Sequence, residues 1–286
     1  MKKFSYLLVL ALCLGSYFSF SQNKKPLVVF VCGDHEYSGE STLPLLAKAL
    51  ETNYGFRTKI LTSYPDQNAE RDIPGLDALA EADLAVFFLC WRLLPADQVA
   101  KIEAYMKSGK PIMGFRTSTH SFNYPKGDPL EKFNGWAEQA FGAPPGWGGV
   151  SKHTHYGHNA STDASINPQA AKHPILTGVD PKFHVRSWLY RVLPDYPAKG
   201  TEWLLMGDAV DPDKPATTQP IAWTWKNQFD ARVFFTTMGH PEDFAVEPFQ
   251  RLIVNAIHWE LGLKVPKKWP GKLEINVPYR GMVKSK

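Results

Sequence analysis

Four short apolar runs, each followed by a polar turn, constrain this chain more than any other feature. PLVVFVCG (26–33) carries β-branched residues without polar alternation and ends at glycine, the pattern of a strand buried on both faces. FRTKILTS (56–63) reads as a second strand, and DLAVFFLC (83–90) and PIMGF (111–115) as the third and fourth. Between them, STLPLLAKALETNYG has helical periodicity, with Ser41 or Thr42 as the expected cap and Gly55 as the stop, and GLDALAEA makes a short helix. Pro95 then opens ADQVAKIEAYMKSGK, whose Val99, Ile102 and Met106 form one stripe before Gly109. Strands that alternate with helices pair in parallel through right-handed crossovers, so the chain is predicted to be α/β with a mostly parallel sheet. Ligands bind such sheets at the loops that follow the carboxyl ends of strands.

From 116 to about 200 the rhythm fails. Glycine, proline, histidine and aromatics dominate, with one helix expected at 129–141. So long an irregular stretch is either disordered or a working surface, and its aromatics, among them Trp147, Tyr156, Trp188 and Tyr190, argue against disorder. EWLLMGDA (202–209), QPIAWTWKN (219–227) and ARVFFTTMG (231–239) return to strand character, and EPFQRLIVNAIHWELGL (247–263) is a long closing helix. The expected organisation is one domain over 22–265, with a basic tail, 266–286, strapped across the surface. No internal repeat is visible.

The amino end, MKKFSYLLVLALCLGSYFSFSQNKK, has two lysines, an apolar run from Phe4, and Ser19 and Ser21 spaced as at a processing site. It reads as a secretory signal, 1–21, cut before Gln22, which places the mature protein in the periplasm or outside the cell. The run is shorter than the roughly 20 residues a bilayer needs, so no membrane span is expected after its removal. Cys13 follows Leu12 rather than a small residue, which argues against lipid attachment. The formal charge of +4 includes Lys2 and Lys3, and no concentrated basic patch remains to bind nucleic acid. Cys32 and Cys90 each close an apolar run and read first as small buried hydrophobes, second as a single bridge.

Polar constellations follow the strands. After the first, CGDHEYSG (32–39) puts Asp34, His35 and Glu36 above the sheet edge as substrate contacts, with Gly33 allowing close approach; it is neither a dinucleotide nor a Walker fingerprint. After the third come Trp91, a stacking platform for a sugar face or a rim aromatic over the core, and Arg92. After the fourth, FRTSTHSFNYP (115–125) supplies Arg116, Thr117, Ser118, Thr119 and His120. Arg116 could clamp a carboxylate, phosphate or developing oxyanion, or serve as a cap and salt-bridge partner. His120 is the functional imidazole of this loop, and Ser118, without an evident activating base, is structural.

GGVSKHTHYGHN (148–159) holds three of the nine histidines. Extended backbone puts His153 and His155 on one face with Thr154 turned away, the start of a metal site, an acid/base pair, or a polar edge strand. His158, past Gly157, is expected to face solvent. In VFFTTMGHPEDF (233–244) a buried strand ends at Gly239 and exposes His240, which Pro241 fixes in direction and Glu242 could orient as a general base or acid. A capping role is the alternative for His240. His173 and His258 read as structural.

GKPIMGFRTSTHSF, the HTH segment, KHPILTGV, QPIAWTW and RVFFTTMGHPEDF before a helix ending WELG resemble the trehalose-utilisation (ThuA-like) family across roughly 27–263. The family is similar to class I glutamine amidotransferases. The resemblance therefore implies a flavodoxin-like three-layer sandwich in which a cysteine nucleophile sits on a sharp turn after a central strand and a late His-Pro-Glu completes the triad. Here His240, Pro241 and Glu242 match the His-Pro-Glu, and GFRTS (114–118) matches the nucleophile turn with Arg116 at the cysteine position. Arginine cannot accept an acyl group, so glutaminase chemistry is excluded.

The resemblance also implies carbohydrate substrates, including 3-keto sugars made by a partner sugar 3-dehydrogenase. A keto sugar has an acidified proton beside its carbonyl. A neutral histidine can remove it while a second donor stabilises the enediolate, leading to isomerisation or to loss of the glycosidic oxygen. His120, His153, His155 and His240 with Arg116 and Glu242 are the expected catalytic group, and Asp34, His35, Glu36, Trp91, Arg92 and Thr117 the expected substrate contacts. No organic cofactor is implied. A divalent metal held by some of the same histidines, giving a metal-dependent hydrolase or lyase, and a non-catalytic sugar-binding protein stay open.

Overall fold

The computed structural model describes residues 25–148 and 153–281. The expected signal segment and Cys13 lie outside the described residues. The four apolar runs become β1 (Leu27–Gly33), followed by α1 (Gly39–Tyr54), then β2 (Arg57–Thr62), β3 (Leu84–Leu89), α2 (Ala96–Lys107) and β4 (Ile112–Phe115). The irregular segment holds α3 (Trp136–Phe141), β5 (Thr154–His155), β6 (Ser161–Ile166), β7 (Lys182–Val185) and β8 (Tyr190–Arg191). β9 (Glu202–Val210), β10 (Gln219–Lys226), β11 (Arg232–Thr236) and α4 (Glu247–Glu260) complete the chain order.

Nine strands form one sheet in the order β2-β1-β3-β4-β11-β10-β9-β6-β7, and β5 pairs with β8 in a separate ribbon. The first five strands of that order are parallel. From β11 outward every pairing is antiparallel. The parallel prediction thus describes the half of the sheet formed by the first five strands of that order, and the other half is an antiparallel wing. The switch has a local cause at Asn227. Its side-chain oxygen accepts from the Phe229 and Ala231 N–H groups at 3.0 and 3.2 Å, closing a hairpin far too short for a crossover helix.

Strand residues alternate between two cores. Val28, Phe30, Cys32, Val86 and Phe88 face α1 and α4, whereas Val29, Val31, Ala85, Phe87 and Leu89 face α2 and α3. Both faces are covered, which is why these runs lack polar alternation and why the molecule has three layers. Cys32 and Cys90 are free and buried, as the first reading had it. The helix expected at 129–141 begins as a tight turn, Glu131–Gly135, before α3. α1 starts at Gly39, ahead of Ser41 and Thr42, and Asp34 serves its amino end in their place by accepting from Glu36, Tyr37 and Gly39 N–H at 3.1, 2.7 and 3.4 Å.

Candidate active site

The carboxyl ends of β1, β3, β4 and β11 converge, and their loops carry residues 34–38, 90–92, 116–120 and 237–240. The turn after β4 is strained: Arg116 adopts φ +37°, a left-handed conformation that costs a non-glycine residue about 1–3 kcal/mol. Its guanidinium offsets that cost. Nη1 donates to the Trp188 and Thr237 carbonyls at 3.2 and 2.8 Å, and the rings of Tyr37, Trp188 and Tyr190 lie 4.3 to 4.7 Å from it. Gly239, at φ +151°, lets the β11 loop pass this turn; a Cβ there would sit 3.2 Å from the Arg116 Cβ.

Above these rings is a cavity of about 120 Å³ lined by Glu36, Tyr37, Trp91, His120, Trp147, His155, His158, Trp188 and Tyr190. Trp147 is its hub, with ring centroids 4.9, 4.6 and 5.7 Å from His120, His153 and His155. Gly146 N–H anchors that loop to the Thr119 carbonyl at 3.0 Å. His153 and His155 pack on one side, as the alternation predicted, and Thr154 lines a different hollow beside Arg191. His155 reaches the cavity, while His153 lies behind it against Thr119. His158, expected in solvent, is exposed yet turns back to 4.2 Å from His155 and 5.0 Å from Trp188, forming part of the rim.

His240 is one layer away. Trp188 and Tyr37 stand between it and the cavity, at 6.0 and 6.1 Å, and Tyr279 from the tail covers its other side at 4.4 Å. Its Nδ1 accepts from Glu242 N–H at 3.3 Å, a cap on the 241–245 turn, and its Nε2 is buried without a hydrogen bond. The Glu242 carboxylate is 58% exposed and 4.0 Å from Nδ1, so it does not orient the imidazole as a triad acid would. The buried acid here is Asp243, which accepts from Ser187, Gly239 N–H and His240 N–H.

The family model for ThuA, trehalose utilisation, matches residues 28–260. This chain belongs to the ThuA family. A crystal structure of a ThuA-like protein from Parabacteroides merdae superposes with a TM-score of 0.64 at 17% identity, covering 92% of this chain and all of that one. One from Bacteroides uniformis gives 0.54 at 18%, covering 83% and 91%. The glutaminase domain of a Trypanosoma brucei CTPS with bound acivicin gives 0.50 at 14%, covering 85% and 97%, which shows a shared fold. No curated protein matches the sequence. In this ThuA chain the strained turn after β4 carries a caged arginine.

Several residues expected to touch substrate do not reach the ThuA cavity. Asp34 is fully buried and spent on the three N–H groups that open α1. Arg92, also fully buried, donates to Cys90 O, Ser63, Ala69 O and His35 Nδ1, binding the loops after β1, β2 and β3 together. Thr117 is buried beneath the turn. Arg116 lies behind the aromatic floor, and His35 beneath Trp91 at 5.8 Å. Ser118 is structural as read, donating to Phe87 O and accepting from Leu89 N–H. His173 and His258 cap and pack away from the site.

Burial favours the neutral form of five of these imidazoles. It holds His153 and His240 down to about 3 and His35 and His155 to about 4, with neighbouring arginines or imidazoles adding to the effect, and it takes His120 well below the usual range. The one carboxyl lining the cavity moves the other way: burial, then the Asp34 charge, raises Glu36 to about 7. Among the described residues no three His, Cys, Asp or Glu side chains come together as a metal-binding group.

Proposed function

We propose that this ThuA chain is a carbohydrate-active enzyme that removes the acidified proton beside the carbonyl of a 3-keto-glycoside. The observation that carries this reading is a cavity walled by five aromatic rings, which offer stacking faces to a sugar, and lined by His120 and His155, whose imidazoles burial favours as neutral, and by Glu36, whose carboxyl burial raises to about 7. His120 or His155 takes the proton from the carbon next to both the carbonyl and the anomeric centre, and the C–H electron pair becomes the enediolate. As that pair forms the new double bond, the bond to the glycosidic oxygen breaks and the leaving oxygen takes a proton from Glu36. Addition of water to the product completes a net hydrolysis; return of the proton without elimination gives exchange or isomerisation. Simple glycoside hydrolysis, which uses two opposed carboxyls, fits less well, since among the described residues Glu36 is the only carboxyl lining the cavity. The amino-terminal stretch supports a periplasmic or secreted setting, where a sugar 3-dehydrogenase would supply the ketone.

The test is incubation of purified protein with 3-keto disaccharides and monosaccharides in deuterated buffer, with and without divalent metal, followed by NMR. Deuterium entry beside the carbonyl or release of the aglycone is expected. Saturable binding with no exchange and no bond cleavage would replace the enzyme by a sugar-binding protein, and metal-dependent turnover alone would replace the mechanism.

A further inference from the structure

Hydrogen-bond partners that can only donate or only accept fix where the protons of these neutral imidazoles sit. His153 Nδ1 lies 3.2 Å from the Arg191 carbonyl oxygen, which only accepts, so Nδ1 carries the proton. Nε2 of the neutral ring is then an acceptor, 3.1 Å from Thr119 Oγ1. The single hydroxyl proton of Thr119 goes to it. Thr119 Oγ1 must therefore accept from its other neighbour, His120 Nδ1, at 2.8 Å. A neutral His120 protonated at Nδ1 has its lone pair at Nε2, which makes no hydrogen bond to the described residues, on a ring that lines the cavity.

The same logic gives the opposite tautomer elsewhere. His155 Nδ1 accepts from Gly157 N–H at 2.9 Å, His35 Nδ1 from the Arg92 guanidinium at 2.7 Å, and His240 Nδ1 from Glu242 N–H at 3.3 Å, so each carries its proton on Nε2. His155 and His120 thus face one cavity as donor and acceptor.

We propose that Thr119 and His153 are positioning residues that hold His120 as its Nδ1–H tautomer, so that His120 Nε2 is the base and His155 Nε2–H the donor to the developing enediolate. The roles of base and donor rest on the keto-sugar reading; the tautomers do not. No proton has to travel along the chain. When Nε2 takes the substrate proton, the imidazolium keeps its Nδ1–H on Thr119, and the Arg191 carbonyl, His153 and Thr119 need no rearrangement.

Long-range proton–nitrogen NMR of the ¹⁵N-labelled protein near pH 7, with His120, His153 and His155 assigned by single His→Gln variants, reads the tautomers directly. Expected are Nδ1–H for His120 and His153 and Nε2–H for His155. Thr119→Val removes the hydroxyl with little change of shape and should move His120 toward Nε2–H, and Thr119→Ser should restore it. On a keto sugar that the wild type turns over, Thr119→Val should lower kcat about 10²-fold or more with KM little changed, and Thr119→Ser should retain most activity. A wild-type His120 protonated at Nε2 overturns the proposal without need of any variant, as does a folded Thr119→Val protein with unchanged tautomer. Tautomers as expected but no keto sugar consumed would uphold the positioning chain and sink the functional reading instead.

Discussion

Glu36 is the residue whose environment most changes its chemistry. A carboxyl raised to about 7 by burial and by the Asp34 charge is protonated below that pH and can give its proton to a leaving oxygen; above it the carboxylate forms and the acid is lost. His153 and His155, held to about 3 and about 4, and His120, held well below its ordinary value by burial, keep their lone pairs around that pH. Activity on a keto-glycoside should therefore fall as pH rises through about 7. Glu36→Gln should lower kcat by about 10²-fold or more and abolish that alkaline limb. A pH–rate profile of the variant checks it, and a limb that persists assigns it to another group. The placement of Glu36, Trp91 and His120 was legible because residues that follow a buried strand have few places to go but the sheet's carboxyl edge, and that of His155 because alternation pairs it with His153. Trp147, Tyr37, Trp188 and Tyr190 were not singled out as site residues, since an aromatic in a segment without periodicity carries no sign of what it faces. Asp34 and Arg92 were misassigned for a common reason: a charged side chain at a loop start satisfies nearby N–H and C=O groups first, and the sequence does not show how many of those are waiting.

The turn after β4 and the loop after β11 work as one unit. Arg116 at φ +37° and Gly239 at φ +151° cross at close range, so each backbone conformation depends on the other. Gly239→Ala puts a Cβ 3.2 Å from that of Arg116 in a backbone region that disfavours side chains. A loss of about 1–3 kcal/mol in denaturant-induced unfolding is expected. Because Gly239 also precedes His240, the variant should shift the His240 ring resonances before global unfolding. All four parallel core strands before residue 116, both long helices they alternate with and the closing helix were readable from apolar runs and helical stripes. β7 (KFHV), the outermost strand, and its neighbour β6 (STDASI) were not, because short strands with polar outward faces look like loop sequence until a neighbour pairs with them.

At the scale of the whole molecule the tail is part of the site. Leu273, Ile275 and Val277 alternate inward against the core, Gln250 holds the Leu273 backbone from both sides at 2.7 and 2.8 Å, and Arg280 pairs with Glu40 at 2.9 Å. This docking brings Tyr279 over His240. Removing 278–286, which spares the three buried anchors, should admit water to His240 and raise its pKa from about 3 by roughly one unit or more, read from imidazole shifts during an NMR titration. An unchanged titration would mean that Trp188 and Tyr37 alone bury the ring. The sequence by itself determined the α/β class, the family and the sheet edge at which the candidate site lies, because strand burial, helix period and short motifs are written in neighbouring residues. Only the tertiary structure decided which imidazoles share a cavity, that Arg116 is caged behind it, and where each ring carries its proton. Those properties come from contacts between residues far apart in the chain, and a hydrogen bond's direction depends on the partner that folding supplies.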